Sequence, residues 1–365
     1  MRLWKVAAAI AAALGLLVGA TPAPQRPHSQ PTAAHPRAIG ITTAASTVKP
    51  VSISGLGLHD GQVVQVGRTL YQYGTEYGCG FQWALRGTHF CGFGVSKARS
   101  LAGPWTAPVL LFSPQATVAS NSWAGDNGRT WDAVCAGPSA LGCFNAEMVK
   151  TPTGTWELWF NSIADNLTYH VPAYWVMGCA GPAGPCGAAA GYWDHKPALT
   201  SCNAAGDFSI LTQGTQAAIL CAPYPHLPTL TEEALTSNWT DGTAQTSFIG
   251  QMPGAEGEGA YQLPDGSWEM VYSEPGCGYC TGPPALKTMA GPAEVQAGYA
   301  TAPTMMGPWT VQGFLSPSYC TGQPRRPFVV NGVAYEWLDR WIGTRNEAAA
   351  SVTFEPMAAT PWMCS

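Results

Sequence analysis

The sequence predicts an all-β fold made of repeated hairpins, and three observations support this prediction. The 365 residues include 42 glycines and 31 prolines, which interrupt the chain too often for long helices. Charged residues make up 11% and hydrophobic residues 46% of the chain, which argues against global disorder. A glycine turn followed by alternating aromatic and apolar residues occurs five times, as expected for hairpins that feed strands.

The five repeats are typical of the blades of a β-propeller. They lie at Gly67–Tyr73, Gly154–Phe160, Gly214–Leu220, Gly266–Tyr272 and Gly332–Leu338. The motif Gly-Pro-Trp-Thr occurs at 103–106 and 307–310, each time downstream of a short predicted strand. The irregular spacing of the five repeats favours one five-bladed, disulfide-rich propeller with long loop insertions over a solenoid. A β-sandwich, which also contains many short strands, is the alternative.

The N-terminal region divides into two segments ahead of the propeller. Residues 1–20 contain Arg2 and Lys5, an apolar run and small residues up to Ala20, the pattern of a secretory signal peptide. An uncleaved membrane anchor is the alternative. Residues 21–50 are rich in Pro, Ala, Ser and Thr and are predicted to be a disordered linker. We therefore expect a secreted, extracellular protein whose residues 51–365 form a monomeric propeller.

Secretion gives the twelve cysteines a structural interpretation. An even number in an exported chain predicts six disulfides, although spacing leaves their connectivity open. The favoured local pairs are Cys79–Cys91, Cys135–Cys143, Cys179–Cys186 and Cys277–Cys280. The last pair forms a Cys-x-x-Cys motif that would also suit zinc or redox chemistry. Because no second such motif exists, a disulfide is favoured over a metal site.

The charge balance excludes one class of partner. A formal net charge of −5 and a pI near 5.8 give no positive footprint for nucleic acid. No apolar run of about eighteen residues follows the signal segment, so no membrane contact is expected beyond it.

The acidic residues are scarce, and three of them precede predicted hairpins in equivalent places. Asp60, Asp207 and Glu256 lie just ahead of the first, third and fourth repeats. Because the innermost strands of a propeller converge on its axis, these residues are predicted to share one pocket. Three carboxyls suit glycoside hydrolysis, which needs a protonated acid and an ionised group that activates water. For each acid taken alone, the alternative is capping of a turn or pairing with an arginine.

These segments resemble glycoside hydrolase family 43. The resemblance lies in Leu58–Gly67, Gly206–Ile210 and Glu256–Ser273, and it extends over about residues 57–357. It implies a five-bladed propeller that hydrolyses O-glycosyl bonds with inversion at the anomeric carbon. The resemblance implies that the reaction needs no cofactor. It also implies that a structural calcium ion can lie on the propeller axis, although the sequence contains no dedicated calcium loop.

The resemblance also assigns roles to the three carboxyls. It implies that Asp60 is the general base, that Asp207 raises the pKa of the acid, and that Glu256 is the general acid. Glu258 falls where the family commonly has proline, which makes it the alternative acid. For an inverting enzyme the base and acid carboxyls are expected roughly 6.5–9.5 Å apart.

A further segment is similar to one branch of the family. Residues 320–327, with Leu338–Trp341, resemble the last blade of the branch that contains exo-β-1,3-galactanases. There the first-blade Asp is typically absent and a Gln, here Gln323, assists the water. This chain has both Asp60 and Gln323, so both mechanisms stay open. The second-blade segment Asn145–Met148 departs from the family pattern and leaves the substrate specificity open.

Several other side chains are candidates for contact with sugar. Tryptophans in glycine-rich insertions could stack on sugar rings, with packing beneath a loop as the alternative: Trp83, Trp123, Trp131 and Trp193. The residues predicted to bind substrate are His59, Trp131, Gln323 and Arg326. For His59 the alternative is a hydrogen-bonded structural role beside an acid.

The sequence therefore predicts a secreted, exo-acting, inverting glycosidase. Its substrate would be a polysaccharide or oligosaccharide that contains arabinose, xylose or galactose. The alternatives are an exo-β-1,3-galactanase-like enzyme that uses Gln323 and a carbohydrate-binding propeller without turnover.

Overall fold

The computed structural model describes most of the chain from residue 49 to residue 357. The described ranges are 49–83, 85, 87–119, 128–136, 140–164, 173–204, 206–222, 229–251, 255–273, 297–316 and 322–357. The predicted signal peptide, most of the linker, Trp123 and four cysteines (277, 280, 320 and 364) lie outside them. Within these ranges no helix has both the length and the apolar character needed to span a bilayer.

The described residues form five antiparallel sheets, which confirms the five-bladed propeller. The first of the described strands is β1 (Val51–Ser54). The first blade contains β2 (Leu58–His59), β3 (Val63–Val66), β4 (Thr69–Glu76), β5 (Phe93–Ala98) and β6 (Val109–Leu110). A short helix, α1 (Trp131–Ala136), precedes the second blade. That blade contains β7 (Ala140–Lys150), β8 (Trp156–Ala164), β9 (Ala173–Cys179) and β10 (Asp194–His195), with a 3₁₀ turn at Ala188–Ala190 before β10.

The remaining three blades follow in chain order. The third contains β11 (Phe208–Gln213), β12 (Gln216–Cys221), β13 (Thr229–Leu235) and β14 (Gly242–Gln251). The fourth contains β15 (Glu256–Gln262), β16 (Trp268–Ser273), β17 (Ala297–Ala302) and β18 (Thr310–Ser316). The fifth contains β19 (Gln323–Pro324), β20 (Phe328–Val330), β21 (Val333–Arg340) and β22 (Ser351–Pro356).

The ring of blades is closed by its two ends. Strand β1 pairs antiparallel with β22, with Val51 opposite Phe354 and Ser54 opposite Ser351. The first strand of the chain therefore completes the last blade, which leaves five separate sheets rather than the two packed sheets of a sandwich.

The glycine of each sequence repeat lies in the turn between the innermost strand of a blade and the strand paired with it. In the first and fifth blades the innermost strand is split, into β2 and β3 and into β19 and β20. All five have positive φ, a conformation that glycine adopts without steric cost: Gly67, Gly154, Gly214, Gly266 and Gly332. The alternating residues that follow form the strand paired with the innermost strand, so the repeats marked the blades correctly.

Apolar side chains fill the spaces between neighbouring blades. The rings of Phe93 and Phe160, from the first and second blades, have centroids 5.0 Å apart. Trp159 and Phe208 meet in the same way between the second and third blades. This packing fixes the blades around the axis, so the entrances of the inner strands are held close together.

The structure contains the local disulfides expected within the described ranges. Cys79–Cys91, Cys135–Cys143 and Cys179–Cys186 are confirmed. A fourth bond, Cys202–Cys221, joins the loop before β11 to the end of β12. The predicted Cys277–Cys280 pair lies outside the described residues.

Candidate active site

The three predicted carboxyls lie around one arginine, Arg325, that was not predicted from the sequence. The guanidinium of Arg325 donates to Asp60 Oδ1 through Nη2 and to Asp207 Oδ2 through Nη1, the latter at 2.7 Å. Nη2 also donates to Gln323 Oε1 at 3.0 Å. The Nε of Arg325 lies 3.3 Å from Asp339 Oδ2. Arg325 thus connects the first, third and fifth blades at the axis.

Asp60 is held in the turn between β2 and β3. Its φ is +54°, in the left-handed region that Asp tolerates better than most residues. Its backbone N–H donates to Asp339 Oδ2 at 3.1 Å, and the Tyr77 hydroxyl donates to its Oδ2 at 3.3 Å. The carboxyl is therefore fixed from both sides and is almost completely buried.

Asp207 joins three blades. It lies just before β11 and accepts a hydrogen bond from Asn145 Nδ2 at 2.8 Å. It also accepts the backbone N–H of Gly257 at 2.8 Å. Asn145 has a left-handed φ of +59°, and its Oδ1 accepts from Arg325 Nη1 at 3.1 Å. Asp207 therefore orients the segment that carries Glu256.

Glu256 begins β15 and contacts the fifth blade. Its Oε2 accepts a hydrogen bond from Gln323 Nε2 at 3.3 Å. The Oε1 of Gln323 accepts from Trp341 Nε1 at 2.6 Å, which sets the orientation of the amide. The next residue, Gly257, has φ +63°, and a Cβ there would lie 2.1 Å from Pro324 O. Only glycine allows β15 to approach β19 this closely.

Burial raises the pKa of both Asp60 and Glu256 to about 7. For Asp60, the neighbouring charge of Arg325 opposes this rise, whereas the charges of Asp339 and Asp207 add to it. For Glu256, the charge of Asp207 raises the pKa further and that of Arg325 lowers it. Near neutral pH the site can therefore hold one protonated and one ionised carboxyl, the combination that acid–base hydrolysis needs.

Asp339 and His59 form a buried pair beneath Asp60. His59 Nδ1 lies 2.9 Å from Asp339 Oδ1. Burial raises the pKa of Asp339, but the hydrogen bond from His59 and the charges of His59 and Arg325 outweigh it, so the net shift is downward. His59 is only 1% exposed and packs against Trp341 and Tyr77. The expectation that His59 binds substrate is corrected, because its ring is enclosed by protein.

Glu258, the alternative acid, lies in a different environment from Glu256. It is 1% exposed, and neither carboxyl oxygen has a hydrogen-bond partner among the described residues. Burial raises its pKa well above the ordinary value, which favours the neutral form. Gln323 and Arg325 contact the cluster that contains Glu256, and neither makes a hydrogen bond to the Glu258 carboxyl.

Arg326 and Trp131 both lie apart from the carboxyl cluster. Arg326 Nη1 donates to Glu147 Oε2 at 2.7 Å, and this ion pair occupies the axis below the cluster. Arg325, one residue earlier, takes the place in the site that was predicted for Arg326. Trp131 is 1% exposed and packs edge-on against Trp175 at 5.1 Å, so it belongs to the core and cannot stack on a sugar.

The two remaining tryptophans that can be described are partly buried. The guanidinium of Arg345 lies 5.3 Å from the ring centroid of Trp83. Trp193 packs against the backbone of Gly178 and the core between the second and third blades.

The residues on the axis do not fit the calcium ion that the family resemblance implies. The carboxylates of Asp60 and Asp207 are paired with Arg325, and a second guanidinium, that of Arg326, follows immediately below. Among the described residues there is no group of three or more His, Cys, Asp or Glu side chains that could hold a metal. Cationic side chains stand where such an ion would need oxygen ligands.

Comparison with known proteins finds similarity in structure alone. No family model and no curated protein matches the sequence. A solved exo-β-1,3-galactanase of Phanerochaete chrysosporium, with galactose bound, superposes with a TM-score of 0.61 at 17% identity, over 83% of this chain and 61% of that one. The chain thus spans about three fifths of that protein's length.

Two further solved structures have the same architecture. A family 43 β-1,3-galactosidase with galactodeoxynojirimycin matches with a TM-score of 0.61 at 13% identity, over 85% of this chain and 95% of that one. An endo-1,4-β-xylanase of Bacteroides thetaiotaomicron matches with a TM-score of 0.55 at 15% identity, over 84% and 93% of the two chains. The resemblance read from the blade motifs is therefore confirmed in the structure: the chain has the five-bladed propeller fold of the family 43 glycoside hydrolases.

Proposed function

We propose that this protein is a secreted, inverting, exo-acting glycoside hydrolase of family 43. The observation that supports the proposal most directly is that Asp60 and Asp207 both pair with Arg325, while Gln323 links Glu256 to the same arginine. These carboxyls come from three blades, and two of them have pKa values near 7. The substrate is a polysaccharide or oligosaccharide with terminal galactose, arabinose or xylose.

In this mechanism Glu256 protonates the glycosidic oxygen and Asp60 removes a proton from the attacking water. The raised pKa of Glu256, about 7, makes its protonated form available near neutral pH. Arg325 favours the ionised form of Asp60. Asp207 raises the pKa of Glu256 by its negative charge and orients the adjoining backbone through Gly257. Water attacks from the face opposite the leaving group, so the product anomer is inverted.

A second candidate is an exo-β-1,3-galactanase-like enzyme in which Gln323 positions the water. The contact between Gln323 Nε2 and Glu256 Oε2 favours this reading, because it places the amide beside the acid. Two of the similar solved structures are named as a β-1,3-galactanase and a β-1,3-galactosidase. The presence of Asp60, which Arg325 binds directly, favours the first candidate.

The experiment is a screen of aryl galactosides, arabinofuranosides and xylosides, followed by proton NMR of the first product formed. We expect one sugar class to be cleaved and the inverted anomer to appear first. Appearance of the retained anomer would contradict the proposed geometry. Asp60→Asn and Gln323→Ala separate the two candidates. If the first variant loses turnover by about 100-fold or more and the second does not, Asp60 is the base; the reverse pattern assigns the water to Gln323.

A further inference from the structure

A second cavity lies at the end of the axial channel opposite the carboxyl cluster. Its volume is about 590 Å³, and we call it the distal mouth. The far ends of inner strands line it, including Gln62, Lys150 and Gln262. The ion pair between Arg326 and Glu147 stands between this cavity and the candidate active site. The distal mouth is therefore a separate compartment with its own opening.

The distal mouth has the lining of a polar binding site. Amide side chains and the Tyr261 ring line it beside apolar strand residues. The amide residues are Gln62, Gln65 and Gln262, and amide groups can both donate and accept hydrogen bonds. Such a lining is suited to a ligand with hydroxyl groups, which also donate and accept.

A neighbouring groove of about 510 Å³ shares Gln65 and Gly67 with the distal mouth. We call it the arginine groove, because Arg68 and Arg99 line it together with Leu70 and Asn331. Both arginines are exposed. Neither forms an ion pair with any residue in the described part of the chain.

The charge of this surface is opposite to that of the whole molecule. The described residues that line the two cavities include Arg68, Arg99 and Lys150, and Arg326, whose charge is balanced by Glu147; no acid is among them. The chain as a whole has a formal net charge of −5. Such segregation creates a local positive potential that attracts anionic groups. Guanidinium groups bind carboxylates in a planar, two-point geometry.

We propose that the distal mouth and the arginine groove together bind an acidic polysaccharide that carries uronic acid carboxylates. Arg68 and Arg99 bind carboxylates of successive sugars, and an uncharged sugar enters the distal mouth. The proposal rests on the proposed function in one respect, that the ligand is a polysaccharide. Binding at this face would hold the enzyme on its substrate and raise the local concentration of chain ends at the active site.

The test measures the affinity of the full chain for polygalacturonate and, in the same preparations, its hydrolysis of the best aryl glycoside. The double variant Arg68→Ala/Arg99→Ala should bind polygalacturonate at least tenfold more weakly, with unchanged hydrolysis. Lys49→Ala, which removes an exposed charge outside both cavities, is the matched control and should bind as the natural protein does. Binding of the natural protein should weaken as salt is raised.

Three outcomes would overturn the proposal. The first is that the natural protein does not bind polygalacturonate, and the second is that the double variant binds it equally well. The third is that single-stranded DNA binds equally tightly and in a way that depends on the two arginines, which would show a general polyanion surface. If no aryl glycoside is cleaved, the proposed function fails. The affinity comparison still decides the acidic-polysaccharide site by itself.

Discussion

Arg325 is the residue on which the electrostatics of the site depend. Its positive charge opposes the rise in pKa of both Asp60 and Glu256. The activity of the proposed enzyme falls at low pH when Asp60 becomes protonated and at high pH when Glu256 loses its proton. Both limbs of the pH profile should therefore lie near pH 7, as overlapping titrations of one coupled pair.

Substitution of Arg325 by Ala should move both limbs to higher pH. Removing the cation raises the pKa of both carboxyls, so we expect the optimum of kcat/KM to rise by about 1 pH unit, together with a fall in its maximum. The measurement is kcat/KM across pH 4–10, with circular dichroism to verify folding. Arg326→Ala, which removes the adjacent arginine, should leave the optimum in place. An unchanged optimum in Arg325→Ala would contradict the electrostatic role of this residue.

The sequence predicted the acids of this cluster and missed its arginine for a definite reason. Asp60, Asp207 and Glu256 stood out because acids are scarce and each precedes a hairpin. Arg325 and Arg326 are adjacent, and their side chains reach different levels of the axis, which the backbone course between β19 and β20 decides. Short irregular segments have no periodicity from which that direction could be predicted. Asp339 was missed because it lies on β21, which pairs with the innermost strand of the fifth blade, rather than at a blade entrance.

At the level of elements, the contact between β15 and β19 places Glu256 beside Gln323. Gly257 permits it, since a Cβ would meet Pro324 O and φ is +63°. A register shift between Glu256 and Gly259 in the pairing with β16 accompanies this close approach. The hairpin turns were predictable from their glycines, whereas this irregular pairing was not, because it depends on a strand about seventy residues away.

Gly257→Ala tests this contact. We expect a loss of about 2 kcal/mol of stability from the strained backbone and the clash, and a fall of at least tenfold in kcat. Gly67→Ala is the matched control, since its φ is +59° and nothing lies within 4 Å of the new Cβ. It should cost about 1 kcal/mol and leave kcat unchanged. Equal effects of the two variants on kcat would contradict the proposed role of the β15–β19 contact.

At the scale of the whole molecule, buried acids link stability to pH. Burial raises the pKa of Glu157 and Glu232 to about 8, and both lie away from the candidate active site. When the pKa of an acid is higher in the folded state than in the unfolded state, the folded protein binds more protons than the unfolded protein at pH values between the two pKa values. Stability is then greatest at low pH and is lost as pH rises toward 8. Acids whose pKa is lowered, such as Asp241, act in the opposite direction, but only below about pH 4.

We therefore expect the unfolding midpoint temperature to fall between pH 5 and pH 9. Calorimetry or circular dichroism across this range gives the slope. Glu232→Gln removes one titrating group while its side-chain oxygen can still accept from Trp309 Nε1, so it should flatten the curve. A midpoint that rises with pH would contradict the neutral state of these buried acids.

The fold itself was predictable at this scale, because five turn glycines with alternating strands are a local pattern. Closure of the ring by β1 was not, since it pairs residues about three hundred positions apart. The cation-lined distal mouth was not predictable either, because it combines side chains from all five blades.

The most direct test of the central claim is the turnover number of Glu256→Gln beside that of Glu258→Gln. If Glu256 is the general acid, its variant should lose about 100-fold or more in kcat and still bind the sugar product. The Glu258 variant, which replaces a buried carboxyl of raised pKa with an amide of the same size, should retain kcat within about a factor of a few. Full turnover by Glu256→Gln, or loss of turnover in Glu258→Gln alone, would contradict the account.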